Sequence, residues 1–322
     1  MSERTRLRSI LDHSRLLGIH HITATCGNAQ TNLDFYSQLL GLRLVKLTVN
    51  FDDPSSYHLY YGDEVGSPGT LITFFSYPKA QHGSRGAGMF TLFSLSVPEG
   101  SLDFWKDRLN EFSPEWYVNR LGEKSLMADD PDGLRFHLVE RSYRNPKAWT
   151  HVVGPENAVQ HILGATIGAR TDASKIFAQD VLNLEVENEC LLESGQVKTR
   201  FGVGDQEMDA VTTPVRSLGG RGTIHHLAFQ VATDADQAGW HKWLTDKGTP
   251  VSPVKDRQYF KSIYFRGPSG ALCEIATAKP GFLTDESVSD LGSSLKLPIA
   301  YRAHRDEIEA ALPKLKLPAL IL

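Results

Sequence analysis

Four stretches of this 322-residue chain share one order of predicted elements. The first begins with the strand-like segment GIHHITATC, continues with the helix-like segment NAQTNLDFYSQLLG, and ends with three short β-rich runs. A repeated unit of this kind buries its apolar face against another copy of itself. The repeat therefore restricts the fold to packed β-α-β-β-β modules, which occupy about 16–78, 88–141, 160–214 and 222–278.

Two internal matches support the repeat. The segment GIHHITA of the first unit resembles TIHHLAF of the fourth, and DPDGLRFHLVE of the second resembles GPSGALCEIAT of the fourth. In the second match, a Pro-x-Gly turn leads into a final strand. We predict an α+β fold of four βαβββ modules, arranged as two domains or as one body of two module pairs. The expected domains are 1–150 and 151–280, each with two modules, followed by a C-terminal tail in 281–322 with one short helix.

Charge and composition argue against several kinds of partner. The formal net charge is −4 and the sequence pI is about 6.3, so no basic field attracts nucleic acid. The apolar runs are shorter than the ~20 residues that span a bilayer, and the N-terminus lacks the apolar stretch of a secretory signal. The three cysteines are far apart and resemble neither a disulfide framework nor a zinc site. We therefore expect a soluble, cytoplasmic protein that binds neither nucleic acid nor membranes.

Two histidine pairs open the first and fourth units, His20–His21 and His225–His226. Because neighbouring side chains of a strand point to opposite faces, we expect one histidine of each pair to face a shared pocket and the other to face the opposite side of its sheet or its rim. A single histidine in an apolar strand is usually a hydrogen-bonded core residue. The same dipeptide at the same place in two repeat copies instead indicates a metal-binding or catalytic role.

Glu274 lies in the predicted final strand of the fourth unit, between Cys273 and Ile275. An ionised carboxylate in a mostly buried strand is costly unless it is paired or coordinated. A divalent metal ion would satisfy it, and a salt bridge to an arginine of another module is the alternative.

One histidine from each pair and Glu274 would form a facial triad, which leaves positions open on Fe(II) for a substrate and dioxygen. Mn(II) suits the same ligands. Because one ligand lies in the first unit and two lie in the fourth, these two units must meet at the metal. His137 aligns with Glu274 when the two Pro-x-Gly turns are matched. It belongs to the second unit, however, and we do not expect it to bind the metal.

The repeated units, with histidine on a first strand and glutamate on a last strand, resemble the vicinal oxygen chelate superfamily. That superfamily includes glyoxalase I, bleomycin resistance proteins and extradiol dioxygenases. More closely, the chain is similar to para-hydroquinone ring-cleaving dioxygenases in the segments GIHHITATCGNAQTNLDFYSQLLGLRLVK, YHLYYGDEVGSPGT, IHHLAF, DRQYFKSIYFR and YRAHRDEIEAALP. The resemblance implies paired, partly closed barrel-like mixed sheets with helices outside, and ring cleavage with Fe(II) and O2.

Carried over residue by residue, the resemblance implies that the metal ligands are His21, His226 and Glu274. It places a second set of residues around them, namely His20, Thr23, His225, Arg257 and Tyr264. Strand geometry independently puts Thr23 on the face of His21, two residues away. A phenol and a guanidinium near the metal could hydrogen-bond a substrate oxygen or reduced dioxygen. The implied partners are a small aromatic substrate and O2, and assembly into a homo-oligomer stays open.

Two other functions fit the same scaffold, because this fold hosts several chemistries. Glyoxalase-type isomerases and thiol transferases commonly take a fourth metal ligand from the last strand of the other module. The corresponding run here, GTLITFF, has no carboxylate or amide. A metal-free module that sequesters an aromatic drug would not need the triad. The sequence therefore favours a dioxygenase that opens a hydroquinone-type or a catechol-type ring.

Overall fold

The computed structural model describes residues 15–118, 123–192 and 194–318. Within these ranges, each of the four units has the predicted order of one strand, one helix and three strands. Residues 1–14 lie outside the described ranges, and the expectation that the chain has no secretory signal depends on them. Residues 319–322, at the end of the predicted tail, also lie outside these ranges. None of the helices within the described ranges is long and apolar enough to cross a membrane.

The elements are short. The strands in chain order are β1 (Gly18–Cys26), β2 (Arg43–Asn50), β3 (Asp53–Gly62), β4 (Leu71–Ser76), β5 (Phe90–Pro98), β6 (Glu115–Val118), β7 (Lys124–Asp129), β8 (Arg135–Arg141), β9 (His161–Ala169), β10 (Glu185–Leu191), β11 (Val197–Val203), β12 (Gln206–Thr212), β13 (Thr223–Val231), β14 (Lys255–Asp256), β15 (Lys261–Arg266) and β16 (Leu272–Thr277). The α-helices are α1 (Ala29–Leu33), α2 (Leu102–Arg108), α3 (Ala173–Asp180), α4 (Asp234–Asp246) and α5 (Arg305–Ala311).

The strands form two eight-stranded mixed sheets, each curled into a half-barrel. The first sheet has the order β14-β15-β16-β13-β1-β4-β3-β2, and the second has the order β10-β11-β12-β9-β5-β8-β7-β6. The first sheet joins the first unit to the fourth, and the second joins the second unit to the third. The predicted meeting of the first and fourth units is therefore confirmed, as is the α+β class with four βαβββ modules. The division of the chain near residue 150 into two domains stays a prediction.

Strand alternation separates two apolar regions in the first sheet. On β4, Ile72 and Phe74 belong to the large core under the helices, whereas Leu71 belongs to a smaller cluster inside the half-barrel. Ala228 on β13 is also in the inner cluster, so the side chain two residues earlier, His226, faces the same interior. The two-residue alternation of side chains along each strand thus decides which residues line the half-barrel.

The helix of the first unit departs from regular α geometry. Asn28 caps α1 by accepting a hydrogen bond from the Thr31 amide at 3.0 Å, and the chain then continues as a π-helix over Asp34–Leu39. The predicted helix stop is observed at Gly41, whose φ of 69° favours glycine. A Cβ at this position would also lie 2.7 Å from a methyl group of Val153.

The C-terminal tail packs over the first unit. The Lys296 amide donates to the Leu47 carbonyl at 2.9 Å, and the Tyr301 hydroxyl donates to the Phe51 carbonyl at 3.0 Å. The short helix that the sequence predicted appears as a 3-10 turn, Ile299–His304, followed by α5. The tail therefore covers β2 and the turn that follows it.

Lys46 of β2 anchors the start of this tail. Its ammonium is fully buried, lies 2.7 Å from Asp285, and forms an ion pair with Glu286, whose side chain is 1% exposed. The ammonium also lies 4.8 Å from the ring centre of Tyr259. A buried ion pair adds little over an apolar contact, but the loss of one partner leaves the other charge uncompensated.

We expect Lys46→Met to lower the free energy of unfolding by about 3 kcal/mol, because the buried Glu286 would keep only the more distant Lys296, 3.7 Å away. Urea denaturation followed by circular dichroism measures this loss. The matched control is Lys242→Met, since Lys242 pairs with Asp246 at an exposed position of α4. Exposed pairs contribute little, so this control should unfold almost as the wild type does. Equal effects of the two substitutions would contradict the anchoring role of Lys46.

Candidate metal centre

Three adjacent strands position the predicted triad. His21 lies on β1, His226 on β13 and Glu274 on β16, and β13 runs between the other two strands. Ala228 of β13 is the register partner of both His21 and Glu274. Its small side chain leaves space between these two residues, and His226 lies two positions earlier on the same face. The sheet thus directs all three side chains into the interior of the first half-barrel.

The donor atoms of the triad converge. Nε2 of His21 lies 3.2 Å from Nε2 of His226, and Oε2 of Glu274 lies 3.5 Å from the His21 nitrogen and 2.9 Å from the His226 nitrogen. All three side chains are buried, and they form the only group of three or more such ligating residues within the described residues. Oε2 of Glu274 has no hydrogen bond of acceptable geometry to a described residue. Two imidazole nitrogens and an orphaned carboxylate oxygen are a donor set that fits a divalent metal ion.

Neighbouring groups shift the pKa values of Glu274 and His226 toward the forms that bind a metal. Burial alone would raise the pKa of Glu274, yet the adjacent His21 and His226 rings hold it well below its usual value. Ser262 donates to Oε1 of Glu274 at 2.5 Å, which fixes the carboxylate. Burial lowers the pKa of His226, although Glu274 opposes this shift, so the neutral imidazole is favoured. The carboxylate is therefore ionised and ready to coordinate.

His20 and His225 do not face the opposite side of the sheet, so that part of the prediction is wrong, whereas the exposure of His225 agrees with the alternative of a place at the rim. β1 and β13 each carry a β-bulge at the histidine pair. The register skips His20 between Ile19 and His21, and it skips His225 between His226 and Ile224. A bulge places one extra residue in a strand and changes the direction of its side chain. Each extra histidine therefore reaches the ring of its neighbour instead of the opposite face of the sheet.

These contacts engage the distal nitrogens of both triad histidines. Nδ1 of His20 lies 3.0 Å from Nδ1 of His21, and Nδ1 of His225 lies 2.7 Å from Nδ1 of His226. Burial lowers the pKa of His20 and of His225 to about 3, so both rings are neutral. If each neutral ring accepts the Nδ1–H of its neighbour, Nε2 of the neighbour keeps its lone pair for a metal.

The structure brings the predicted Arg257 and Tyr264 to the same side of the site. Tyr264 is the register partner of Glu274, and its ring centre lies 5.8 Å from that of His226. Arg257 donates to the Tyr264 hydroxyl at 3.2 Å and to the Asp52 carboxylate at 2.9 Å. Burial and the charge of Glu274 raise the pKa of Tyr264, so its hydroxyl stays protonated. Asp52, which sequence reasoning did not select, links the first unit to this pair.

Thr23 leads to a histidine that sequence reasoning missed. Its hydroxyl lies 2.7 Å from that of Thr73 on β4, which in turn lies 2.9 Å from Nε2 of His58 on β3. His58 is buried, and burial followed by the nearby His21 and His226 lowers its pKa well below the usual value. Alternation in the segment SYHLYYG puts His58 on the face of Tyr60, a signal that could have identified it.

Aromatic rings close the space around these polar groups. Phe260 lies 5.0 Å and 5.2 Å, between ring centres, from His20 and His21, and Phe75 lies 4.4 Å from His58 and 5.5 Å from His225. Phe75 of β4 and Phe260 therefore line the space around these histidines. His137, by contrast, lies on β8 of the other sheet, away from the triad.

We expect Ser262→Ala to weaken divalent metal binding by roughly 10-fold, because the carboxylate of Glu274 loses its orienting hydrogen bond. Glu274→Gln should weaken binding further, because it removes the only negative charge of the triad. Titration with Co(II), followed by its visible absorption, measures both affinities. Ser84→Ala, at an exposed serine outside the site, is the matched control. Unchanged Co(II) affinity in Glu274→Gln would show that the triad is not a metal site.

Comparison with known proteins identifies similar chains. Residues 18–275 match the family model described as the Glyoxalase/Bleomycin resistance protein/Dioxygenase superfamily. A candidate dioxygenase from Bacillus subtilis subsp. subtilis str. 168, solved by crystallography, is 41% identical with a TM-score of 0.87, covering 95% of this chain and 99% of that one. Glyoxalase I from Zea mays is 12% identical with a TM-score of 0.59, and the match covers 82% of this chain and 92% of that one. This likeness concerns the fold alone.

Two relatives with assigned names extend over nearly the whole chain. The candidate ring-cleaving dioxygenase MhqO of Bacillus subtilis (strain 168) is 42% identical over 304 residues, which are 92% of this chain and 96% of the relative. The chlorohydroquinone/hydroquinone 1,2-dioxygenase of Sphingobium indicum is 34% identical over 310 residues, which are 91% and 95% of the two chains.

Proposed function

This chain belongs to the Glyoxalase/Bleomycin resistance protein/Dioxygenase superfamily, and on that premise we propose that it is an Fe(II)-dependent dioxygenase that opens a hydroquinone-type aromatic ring. A catechol-type ring is the alternative substrate, and Mn(II) is the alternative metal. The names of the relatives support ring cleavage. The observation that carries the proposal is the convergence of two imidazole nitrogens and one carboxylate oxygen in the first half-barrel.

The proposed ligands are His21, His226 and Glu274. Fe(II) held by these residues would keep positions open for a ring hydroxyl and dioxygen, and would supply the electron transfer between them. The bulged neighbours, His20 and His225, would orient the two ligand rings through their distal nitrogens. The protein would therefore supply a fixed coordination geometry and a site that largely excludes water.

Arg257, Tyr264 and His225 are the proposed groups that act on the substrate. The Tyr264 hydroxyl is protonated and is held by Arg257, so it can donate a hydrogen bond to an oxygen that becomes negatively charged. His225 is exposed at the edge of the site, where its ring can form a hydrogen bond to an entering hydroxyl. Thr23 would act through Thr73 and His58, as a positioning residue.

The isomerase or transferase alternative is less well supported by the structure. Those enzymes commonly take a fourth ligand from the last strand of the other module, which here is β4. In the parallel pairing of β1 with β4, His21 is opposite Leu71 and Thr23 is opposite Thr73. Neither residue offers a carboxylate or an amide, so this side of the centre stays open.

We also propose a cytoplasmic location, consistent with the free thiols of Cys26, Cys190 and Cys273.

Oxygen uptake by anaerobically Fe(II)-loaded protein tests the proposal directly. We expect hydroquinone, methylhydroquinone or chlorohydroquinone to consume oxygen and to give a new ring-opened chromophore. Catechol in the same panel distinguishes the two ring types. Glu274→Ala should abolish both signals because it loses the metal. A metal-loaded wild type that consumes no oxygen with any member of the panel would favour the isomerase or transferase reading, which Ni(II) and Zn(II) forms would then test.

A second prediction concerns Tyr264. We expect Tyr264→Phe to lower kcat by roughly 10²-fold while metal binding is retained, because the hydrogen-bond donor at the reacting oxygen is removed. Steady-state oxygen uptake and metal content measure these two effects. Tyr143→Phe, at a tyrosine that is 46% exposed, is the matched control. Full activity of Tyr264→Phe would remove Tyr264 from the reaction.

A further inference from the structure

The second half-barrel repeats the strand register of the first. In the first sheet, the parallel strands β13 and β16 align Ala228 with Glu274, and in the second sheet β5 and β8 align Ser94 with His137. The bulges recur as well, since the register of β5 with β9 skips Thr91 and Leu163. These two positions correspond to His225 and His20. Each position of the candidate metal centre therefore has a counterpart in the second sheet.

The counterparts of the triad do not form a metal site. The positions of His21, His226 and Glu274 are occupied in the second sheet by Gly164, Leu92 and His137. The second sheet nevertheless keeps a serine beside His137, as the first sheet has one beside Glu274. Ser125 on β7 corresponds to Ser262 on β15, and its hydroxyl lies 3.4 Å from Nδ1 of His137.

A cavity of about 320 Å³ lies inside this second half-barrel. Its apolar walls include Leu92, Met127, Val139 and Leu163, and the Tyr117 ring lies 5.2 Å from the ring centre of His137. A cavity of this volume is within the range of small-molecule sites. The combination of apolar walls with one aromatic ring suits a flat, unsaturated molecule.

One buried polar atom of the cavity wall has no partner. Nε2 of His137 is buried and forms no hydrogen bond to any residue in 15–118, 123–192 or 194–318. Burial, followed by the charges of Lys198 and Arg135, lowers the pKa of His137 to about 4, so the ring is neutral at pH 7. A buried polar atom without a partner is unfavourable, and a ligand that satisfies it gains affinity.

The charged groups of the wall are already paired with one another. Arg200 forms two hydrogen bonds to Asp209, at 2.9 Å and 3.2 Å, and an ion pair to Glu207 at 2.7 Å. Lys198 lies 2.5 Å from Asp209. Arg135 and Arg85 both pair with the carboxylate of Asp129, at 2.8 Å and 3.2 Å. An ionic ligand would have to replace one of these pairs, whereas a neutral ligand would not.

We propose that the cavity of the second half-barrel binds a neutral hydroxylated aromatic molecule, with its hydroxyl at Nε2 of His137. A phenolic hydroxyl both donates and accepts, so it satisfies Nε2 in either tautomer of the neutral ring. The ring would lie against Tyr117 and the apolar side chains. Among the residues that the structure describes, its lining has no converging group of three metal-ligating side chains, so we assign it no ring cleavage. The proposal rests on the cavity alone and does not depend on the proposed activity of the metal centre.

Equilibrium binding of 4-fluorophenol tests the second site. This phenol is neutral at pH 7, and the full-length, metal-loaded protein is titrated anaerobically, with isothermal calorimetry for stoichiometry and ¹⁹F NMR for the bound states. We expect a bound equivalent that Glu274→Ala retains, because that variant alters only the first half-barrel. Ser94→Phe should lose this equivalent, because the new ring fills the cavity. Failure of Glu274→Ala to bind any 4-fluorophenol would overturn the proposal.

His137→Leu separates the hydrogen bond from the shape of the cavity. It should keep the fold, since it removes a buried nitrogen without a partner, and should weaken the second site by roughly 3- to 10-fold. His82→Leu, at an exposed histidine, is the matched control and should bind like the wild type. If Ser94→Phe or His137→Leu, folded by circular dichroism, binds like the wild type, the proposal is wrong. Oxygen uptake is measured separately, so either proposal can fail without the other.

Discussion

The pairing of β1 with β13 is the contact on which the rest of the structure depends. It joins strands from the first and last units, and it brings together two histidines that are 205 positions apart in the chain. Neither unit contains the triad by itself, since His21 comes from one and both His226 and Glu274 come from the other. Closing so long a loop costs conformational entropy, which the burial of the inner faces of both units must offset. The site therefore forms only when the first and fourth units pair.

Burial then determines the electrostatics of the site. Glu274 is fully buried yet ionised, because two imidazoles and the Ser262 hydroxyl compensate for the loss of water. The other nearby rings, among them His20 and His225, are neutral. Because a histidine must be neutral to bind a metal, the triad would contribute a single negative charge as a ligand set. A divalent cation held there would keep a net positive charge, which favours oxygen ligands that are negatively charged or become so during a reaction.

The sequence predicts the parts of this arrangement that follow from periodicity. The repeat of β-α-β-β-β units was sufficient to predict the modules, and the duplicated histidine pair together with the buried Glu274 predicted that the first and fourth units meet. The choice of His21 and His226 within the two pairs came from the family resemblance. The bulges at His20 and His225 could not be predicted, because a period of two residues assigns neighbours to opposite faces. The contact of Asp52 with Arg257 and the approach of His58 to Thr23 depend on strand register and turn geometry, which the residue pattern does not specify.

The two half-barrels share a register, but they are not interchangeable. At the position of His21, the second sheet has Gly164, and a Cβ there would lie 2.4 Å from the Glu207 carbonyl oxygen on the neighbouring strand. A histidine cannot enter this position unless β9 and β12 move apart. In the first sheet, the corresponding parallel pair is His21 with Leu71, and that spacing accommodates a side chain. Close strand spacing, as well as side-chain identity, therefore separates a metal-holding half-barrel from one with an open cavity.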